Sequence, residues 1–190
     1  VKFTLEILDE LSETFCIDPA RVYATGMSNG GGFTALLACD PTATKRIAAF
    51  APVSAAIYLN NKTEQLDPCK PSRDVVPMLE FHGWIDGQIW YNQTHLNSRS
   101  NGYSIGIQEW FEGWAERDGF DKNKPEITYL CSEAKNVTRY SWDDTVVHYN
   151  VSNYNHNWPR TYKNENTQRT TCEDADATRV ILDWFAKWRL

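Results

Sequence analysis

Five residues near the start of the chain, Gly26-Met27-Ser28-Asn29-Gly30, have the spacing G-x-S-x-G. That spacing serves a serine nucleophile held on a sharp turn between a strand and a helix. The turn is strained, so its neighbours must be small. The serine Oγ then projects at a helix N-terminus, where the dipole favours developing negative charge. In such a turn the N–H of the next residue, Asn29, is one oxyanion donor. The competing reading is a Gly/Ser-rich turn ahead of a buried helix. The flanking residues favour the first: Arg21–Thr25 reads as a strand and Gly31–Cys39 as a helix of small and apolar residues.

A serine hydroxyl is a weak nucleophile and needs a base that is itself oriented by an acid. With this elbow the chain order is serine, acid, histidine. Four histidines follow Ser28: His82, His95, His148 and His156. His82 precedes the expected acid, which favours a structural role. His95 lies in a polar loop with few acids before it. His148 falls inside a strand, where its side chain is committed to one face. His156 lies in a loop just past the last strand and is the candidate base. For the acid, Asp86 follows an apolar strand within a Gly-flanked turn that can aim a carboxylate. Asp67 and Asp74 precede that strand, on the wrong side of the sheet. Asp143 and Asp144 fall in a hairpin turn and are expected to be solvated. Trp90, Tyr91 and Trp158 are candidates for an aromatic substrate pocket, with core packing as the alternative.

The elements that must position these residues follow from periodicity. Phe3, Ile7, Leu11 and Phe15 recur every fourth residue, with Leu8 beside them, so Val1–Phe15 reads as an amphipathic helix. Ile47–Val53 is a nearly continuous apolar run, as in a buried parallel strand. Val75–Phe81 is a further strand, Gln88–Gly102 a loop, and Ile107–Arg117 a helix stopped at Gly119. Ile127–Leu130, Thr138–Trp142 and Val146–Val151 read as strands. A long polar loop spans Asn153–Asp174. Ala175–Leu190 closes the chain as a helix with Val180, Trp184, Phe185 and Trp188 inward. Strands alternating with helices predict an α/β fold with a mostly parallel sheet covered on both faces, over a single domain, 1–190.

These residues together resemble the fungal feruloyl esterases of carbohydrate esterase family one, which have the α/β-hydrolase fold. The stretch Cys16-Ile17-Asp18-Pro19 and the runs Gly26–Cys39 and Lys45–Ser54 are similar to that family. So are Leu79-Glu80-Phe81-His82-Gly83 with Asp86, Trp158-Pro159 after His156, and Ile181–Leu190. The resemblance implies hydrolysis of feruloyl and related hydroxycinnamoyl esters on plant cell-wall arabinoxylan. It carries Ser28, Asp86 and His156 over as nucleophile, acid and base, and implies no cofactor and no metal. The chain departs from the family at Tyr154-Asn155, where glycine is common, and at Trp84-Ile85 and Gln88-Ile89-Trp90. Only 27 residues precede Ser28. The family has more strands there, one of which supplies the second oxyanion donor. The expectation is therefore a domain that is N-terminally incomplete: the C-terminal portion of the sheet, with one edge and its apolar faces uncovered.

Composition narrows the class of partner. The chain has 190 residues, 42 % hydrophobic and 23 % charged, so it can build a core. A net charge of −6 without a Lys/Arg run argues against nucleic acid or an anionic membrane as partner. No apolar run approaches the length of a membrane span. Five cysteines occur without any C-x-x-C pair, which argues against structural zinc and leaves one thiol unpaired within the chain. Sequons at Asn61, Asn92, Asn136 and Asn150, with scattered cysteines, favour a secreted, extracellular protein with disulfides and glycans. Two other functions fit the same residues: an acetylxylan or polyhydroxyalkanoate esterase, and a truncated remnant without activity.

Overall fold

The apolar run expected at Ile47–Val53 forms strand β2 (Ala49–Val53), and all five of its residues are buried. It lies inside a sheet of order β1-β2-β3-β8-β7-β6, seen in a computed structural model that describes residues 1–92, 95–97, 102–131, 136–163, 165 and 167–190. The other strands of that sheet are β1 (Tyr23–Met27), β3 (Met78–Gly83), β6 (Glu126–Leu130), β7 (Val137–Trp142) and β8 (Val146–Val151). β1, β2, β3 and β8 pair in parallel, and β7 is antiparallel to both β8 and β6. A short hairpin stands apart from this sheet: β4 (His95–Asn97) lies within the segment expected as loop, and β5 (Gly102–Ser104) begins at its last residue. Pro52 has no N–H to give, and β2 registers with β3 only at Phe50 and Val53 on either side of it.

Among the described residues four α-helices flank the sheet: α1 (Lys2–Thr14), α2 (Asn29–Ala38), α3 (Ile107–Arg117) and α4 (Ala177–Phe185). Strand alternation divides the core in two. Phe50, Met78 and Val146 face α2 and α3. Ala49, Ala51, Leu79, Phe81 and Val147 face α4. α3 buries Ile107, Trp110, Phe111, Trp114 and Ala115, a helical stripe whose large side chains contribute roughly 1.5–3 kcal/mol each on burial. α4 begins under Asp176, whose carboxylate accepts the Arg179 N–H as an N-cap.

Several boundaries differ from the sequence reading. A 3₁₀ turn over Pro19–Arg21 delays β1 to Tyr23 and lets it run to Met27, directly against Ser28. β3 starts later than expected and runs on to Gly83, which puts His82 inside the strand. The closing helix ends at Phe185, with Trp184 and Phe185 buried and Val180 and Trp188 partly so. In α1 the stripe Phe3, Ile7, Leu11 and Phe15 faces outward, Phe3 being 73 % exposed. It is Val1, Leu5 and Leu8 that touch the core instead. β1 is an edge of the sheet.

Two disulfides brace the fold. Cys39–Cys69 joins the end of α2 to the irregular segment after β2, and Cys131–Cys172 joins the end of β6 to the approach to α4. Cys16 is the exposed free cysteine. The second bridge closes a 41-residue loop. The Cys131→Ser/Cys172→Ser chain is therefore expected to lose about 2–4 kcal/mol in urea unfolding relative to the oxidised parent.

Candidate active site

Three parallel strands deliver three side chains to one edge of the sheet, the carboxyl end where open α/β sheets place their sites. β1 leads into Ser28, which has φ 58° and ψ −120°. Its N–H donates to the Val53 carbonyl at 3.0 Å, and its own carbonyl accepts from Gly32 and Ala56. The turn is tight because Gly26 rests on the backbone of Gly30: a Cβ at Gly26 would lie 2.6 Å from the Gly30 carbonyl. Gly30 itself has open space where its Cβ would be. So of the two motif glycines, the first is required by contact, and no such contact constrains the second. Asn29 opens α2 and is exposed, with its N–H at the helix N-terminus.

β3 leads into the turn that carries Asp86. Its Oδ1 accepts the N–H groups of Gln88 and Ile89, at 2.8 and 2.9 Å. β8 leads into the loop that carries His156. That loop is drawn over the acid turn: the Ile85 N–H donates to the Tyr154 carbonyl, and a Cβ on Gly83 would sit 2.3 Å from that oxygen. His156 then spans the gap. Its Nδ1 is 2.7 Å from Asp86 Oδ2, and its Nε2 is 2.8 Å from Ser28 Oγ. Asp86 is fully buried and the His156 side chain nearly so. Burial alone would raise the Asp86 carboxyl. Hydrogen bonds from His156 and His82 outweigh it and hold the carboxyl well below the usual carboxylate range. A hydroxyl, an imidazole and an ionised carboxylate thus lie in hydrogen-bonded sequence, the order that nucleophilic acyl transfer uses.

The remaining residues singled out from sequence fall in varied places. Trp90 is 39 % exposed beside the acid turn. Tyr91 is buried, and its hydroxyl lies 2.8 Å from His148 Nε2. Trp158 packs against the α4 core and donates its indole N–H to Thr178. His82 and His148 are buried in facing strands. The side chain of His95 lies outside the described residues. Asp67 accepts from Asn60, while Asp144 pairs with Arg139 and Lys187 instead of standing in solvent. Asn61 and Asn92 are exposed and Asn136 is half-buried. Asn150 is buried in β8 opposite His82, which leaves no room for a glycan in the folded chain. A cavity of about 570 Å³ opens between α2 and α3, lined by Leu36, Ile57, Tyr58 and Trp110 among others. Neither Ser28, Asp86 nor His156 lines it.

Sequence reasoning missed Glu80. It stands in an apolar strand with 0 % exposure, 2.9 Å from His82 Nδ1 and 2.8 Å from His148 Nδ1. The signal was available: an acid amid Met78, Leu79 and Phe81, with histidine two residues on. Burial opposes a charge on His82, yet Glu80 and Asp86 push its pKa up to about 10. A histidine raised this way adds stability that is complete below pH ~6.5 and lost as pH rises through the folded value. The unfolding free energy is therefore expected to fall between pH ~6.5 and about 10, read as urea midpoints across that range.

No family model matches the chain. Curated proteins do. Feruloyl esterase B of Piromyces equi is 34 % identical over 122 residues, 63 % of this chain and 22 % of that protein. Feruloyl esterase D of Neurospora crassa is 36 % identical over 89 residues, 47 % of this chain and 27 % of that protein. The chain is a homologue of fungal carbohydrate esterases. A bifunctional acetylxylan esterase/xylanase of Neocallimastix patriciarum is 30 % identical over 137 residues, 72 % of this chain and 17 % of that protein. The chain thus spans about a quarter of the length, or less, of the curated relatives it matches. Among solved structures, an acetyl xylan esterase from Aspergillus awamori superposes with a TM-score of 0.60 at 18 % identity, over 97 % of the chain and 66 % of that structure. This likeness establishes the mixed α/β fold with its mostly parallel sheet. Among the described residues, no helix is long and apolar enough to cross a membrane.

Proposed function

We propose that the chain is a secreted serine carboxylesterase that hydrolyses feruloyl and related hydroxycinnamoyl esters of plant cell-wall arabinoxylan. The observation that carries this reading is the single imidazole of His156 within hydrogen-bond distance of both Ser28 Oγ and Asp86 Oδ2. His156 Nε2 takes the proton of Ser28 as Oγ attacks the ester carbonyl. The Asn29 N–H at the start of α2 holds the oxyanion. The sugar hydroxyl leaves with the proton from His156, and the acid remains as an ester of Ser28. Water, deprotonated by His156, then releases the hydroxycinnamate. Asp86 orients the ring throughout and balances its charge. Trp84, Ile85 and Trp90, all exposed around the acid turn, offer apolar surface for an aromatic acyl group.

The names of the relatives support an esterified polysaccharide as substrate and divide over the acyl group, ferulate or acetate. Parallel assays on methyl ferulate and on acetylated xylan separate the two. Ferulate release well above acetate release supports the reading; acetate alone reassigns the acyl group. Hydrolysis of neither sinks the esterase reading. Secretion carries its own expectation. Mass spectrometry before and after glycan removal should find occupancy at exposed Asn61 and Asn92 and none at buried Asn150.

A further inference from the structure

Behind Asp86 lies a second polar cluster that the reaction above does not use. Glu80 and His82 project from the same face of β3. His148 stands opposite Glu80 in β8, and Asn150 opposite His82. The side chains of Glu80, His82 and His148 are all within 2 % of complete burial. Buried charges persist only when paired and hydrogen-bonded, so the proton positions in this cluster can be worked out from its partners.

His82 Nε2 is 2.9 Å from the Ile89 carbonyl and 3.4 Å from Asp86 Oδ2. A carbonyl only accepts, so Nε2 carries hydrogen. His82 Nδ1 is 2.9 Å from Glu80 Oε1. Burial would raise the Glu80 carboxyl, but the His82 charge and His148 outweigh it and hold it ionised. An ionised carboxylate also only accepts, so Nδ1 carries hydrogen too. The Tyr91 hydroxyl, whose pKa burial pushes up, keeps its proton and donates to His148 Nε2. His148 Nδ1–H then faces Glu80 Oε2 at 2.8 Å, off the alignment of a good hydrogen bond. Around His82, the titratable groups are thus Glu80 on its own strand, Asp86 in the turn, Tyr91 in the following loop and His148 on β8.

We propose that His82 is a positioning residue: a buried imidazolium, locked by Glu80, that holds Asp86 Oδ2 toward His156 and limits that carboxylate's pull on the His156 ring. Asp86 Oδ1 is tied by two backbone N–H groups, and Oδ2 lies between His82 and His156. The positive charge on the far side of Asp86 shares Oδ2 with His156 and fixes the carboxylate in the orientation that the His156 ring needs. The inference rests on the esterase reading, and its test is chosen to separate the two.

In the unmodified chain, histidine ¹⁵N NMR is expected to show both ring N–H groups of His82 from pH 6 to 8.5. Loss of either within that range overturns the proposal. His82→Gln alone strands the Glu80 charge, so the informative variant is Glu80→Gln/His82→Gln, which replaces the ion pair by two amides. In that variant the His156 Nδ1–H proton signal is expected to move downfield, because His82 no longer shares Asp86 Oδ2 with it. With methyl ferulate, kcat is expected to fall by roughly tenfold to a hundredfold with KM little changed. A folded variant whose His156 Nδ1–H signal and kcat match the parent overturns the positioning role. The NMR readouts need no turnover. Absence of Ser28-dependent hydrolysis in the parent would therefore sink the esterase reading while leaving the role of His82 to be decided by NMR.

Discussion

Replacing Ser28 by alanine is expected to lower kcat on methyl ferulate by on the order of 10⁵–10⁶, with the fold intact. The size follows from the role of the hydroxyl: without Oγ there is no acyl-enzyme, and His156 has no serine proton to take. What survives is the residual rate from binding and oxyanion stabilisation. Stability should change by less than about 0.5 kcal/mol. Ser28 precedes α2, but its side chain makes no capping bond, and its hydrogen-bond partner is His156. Its φ of 58° is strained for serine and alanine alike. The check pairs steady-state kinetics with urea unfolding of the same preparations. An alanine variant that keeps the parent's kcat removes Ser28 from the chemistry.

The second large effect is on stability. Glu80→Ala is expected to cost about 3–5 kcal/mol at neutral pH, because it leaves the His82 charge buried without its counter-ion. The sign of its pH dependence is specific. In the parent, the raised pKa of His82 adds stability below pH ~6.5 that is lost as pH climbs through about 10. The variant lacks that contribution from the outset. The gap between parent and variant should therefore narrow from pH 7 to pH 10, and a gap of constant size would mean that lost packing alone is responsible. Glu80→Gln keeps the volume and one acceptor, so its cost should be smaller.

The legible parts of the chain were those governed by local chemistry or period. The elbow could be read because Gly26, Ser28 and Gly30 sit between strand and helix. Asp86 and His156 could be nominated because each follows an apolar strand, and parallel strands bring such ends together. β2 was legible as a run without a polar residue. The harder features depend on pairing across the sheet. Glu80 and His148 are 68 residues apart, and only the β3–β8 register makes them neighbours. Asn150 fits a sequon, yet the strand that contains it is covered on both faces. Tyr91 follows an exposed Trp90 and looks like its equal, but a histidine from β8 claims its hydroxyl. In α1, the four-residue period correctly predicts a helix and cannot say which stripe finds a core. Val1, Leu5 and Leu8 touch it, and the longer stripe does not.

The Cys131–Cys172 bridge makes a closed ring of the chain that contains β7, β8 and the His156 loop. One cut in the exposed stretch Thr161–Lys163 would divide the backbone yet release nothing. α4 would stay fastened to β6 through sulfur, and His156 would remain on the Tyr154 side of the cut, still held over Asp86. A clipped molecule of this kind would run as one band on a gel without thiol and as two with it.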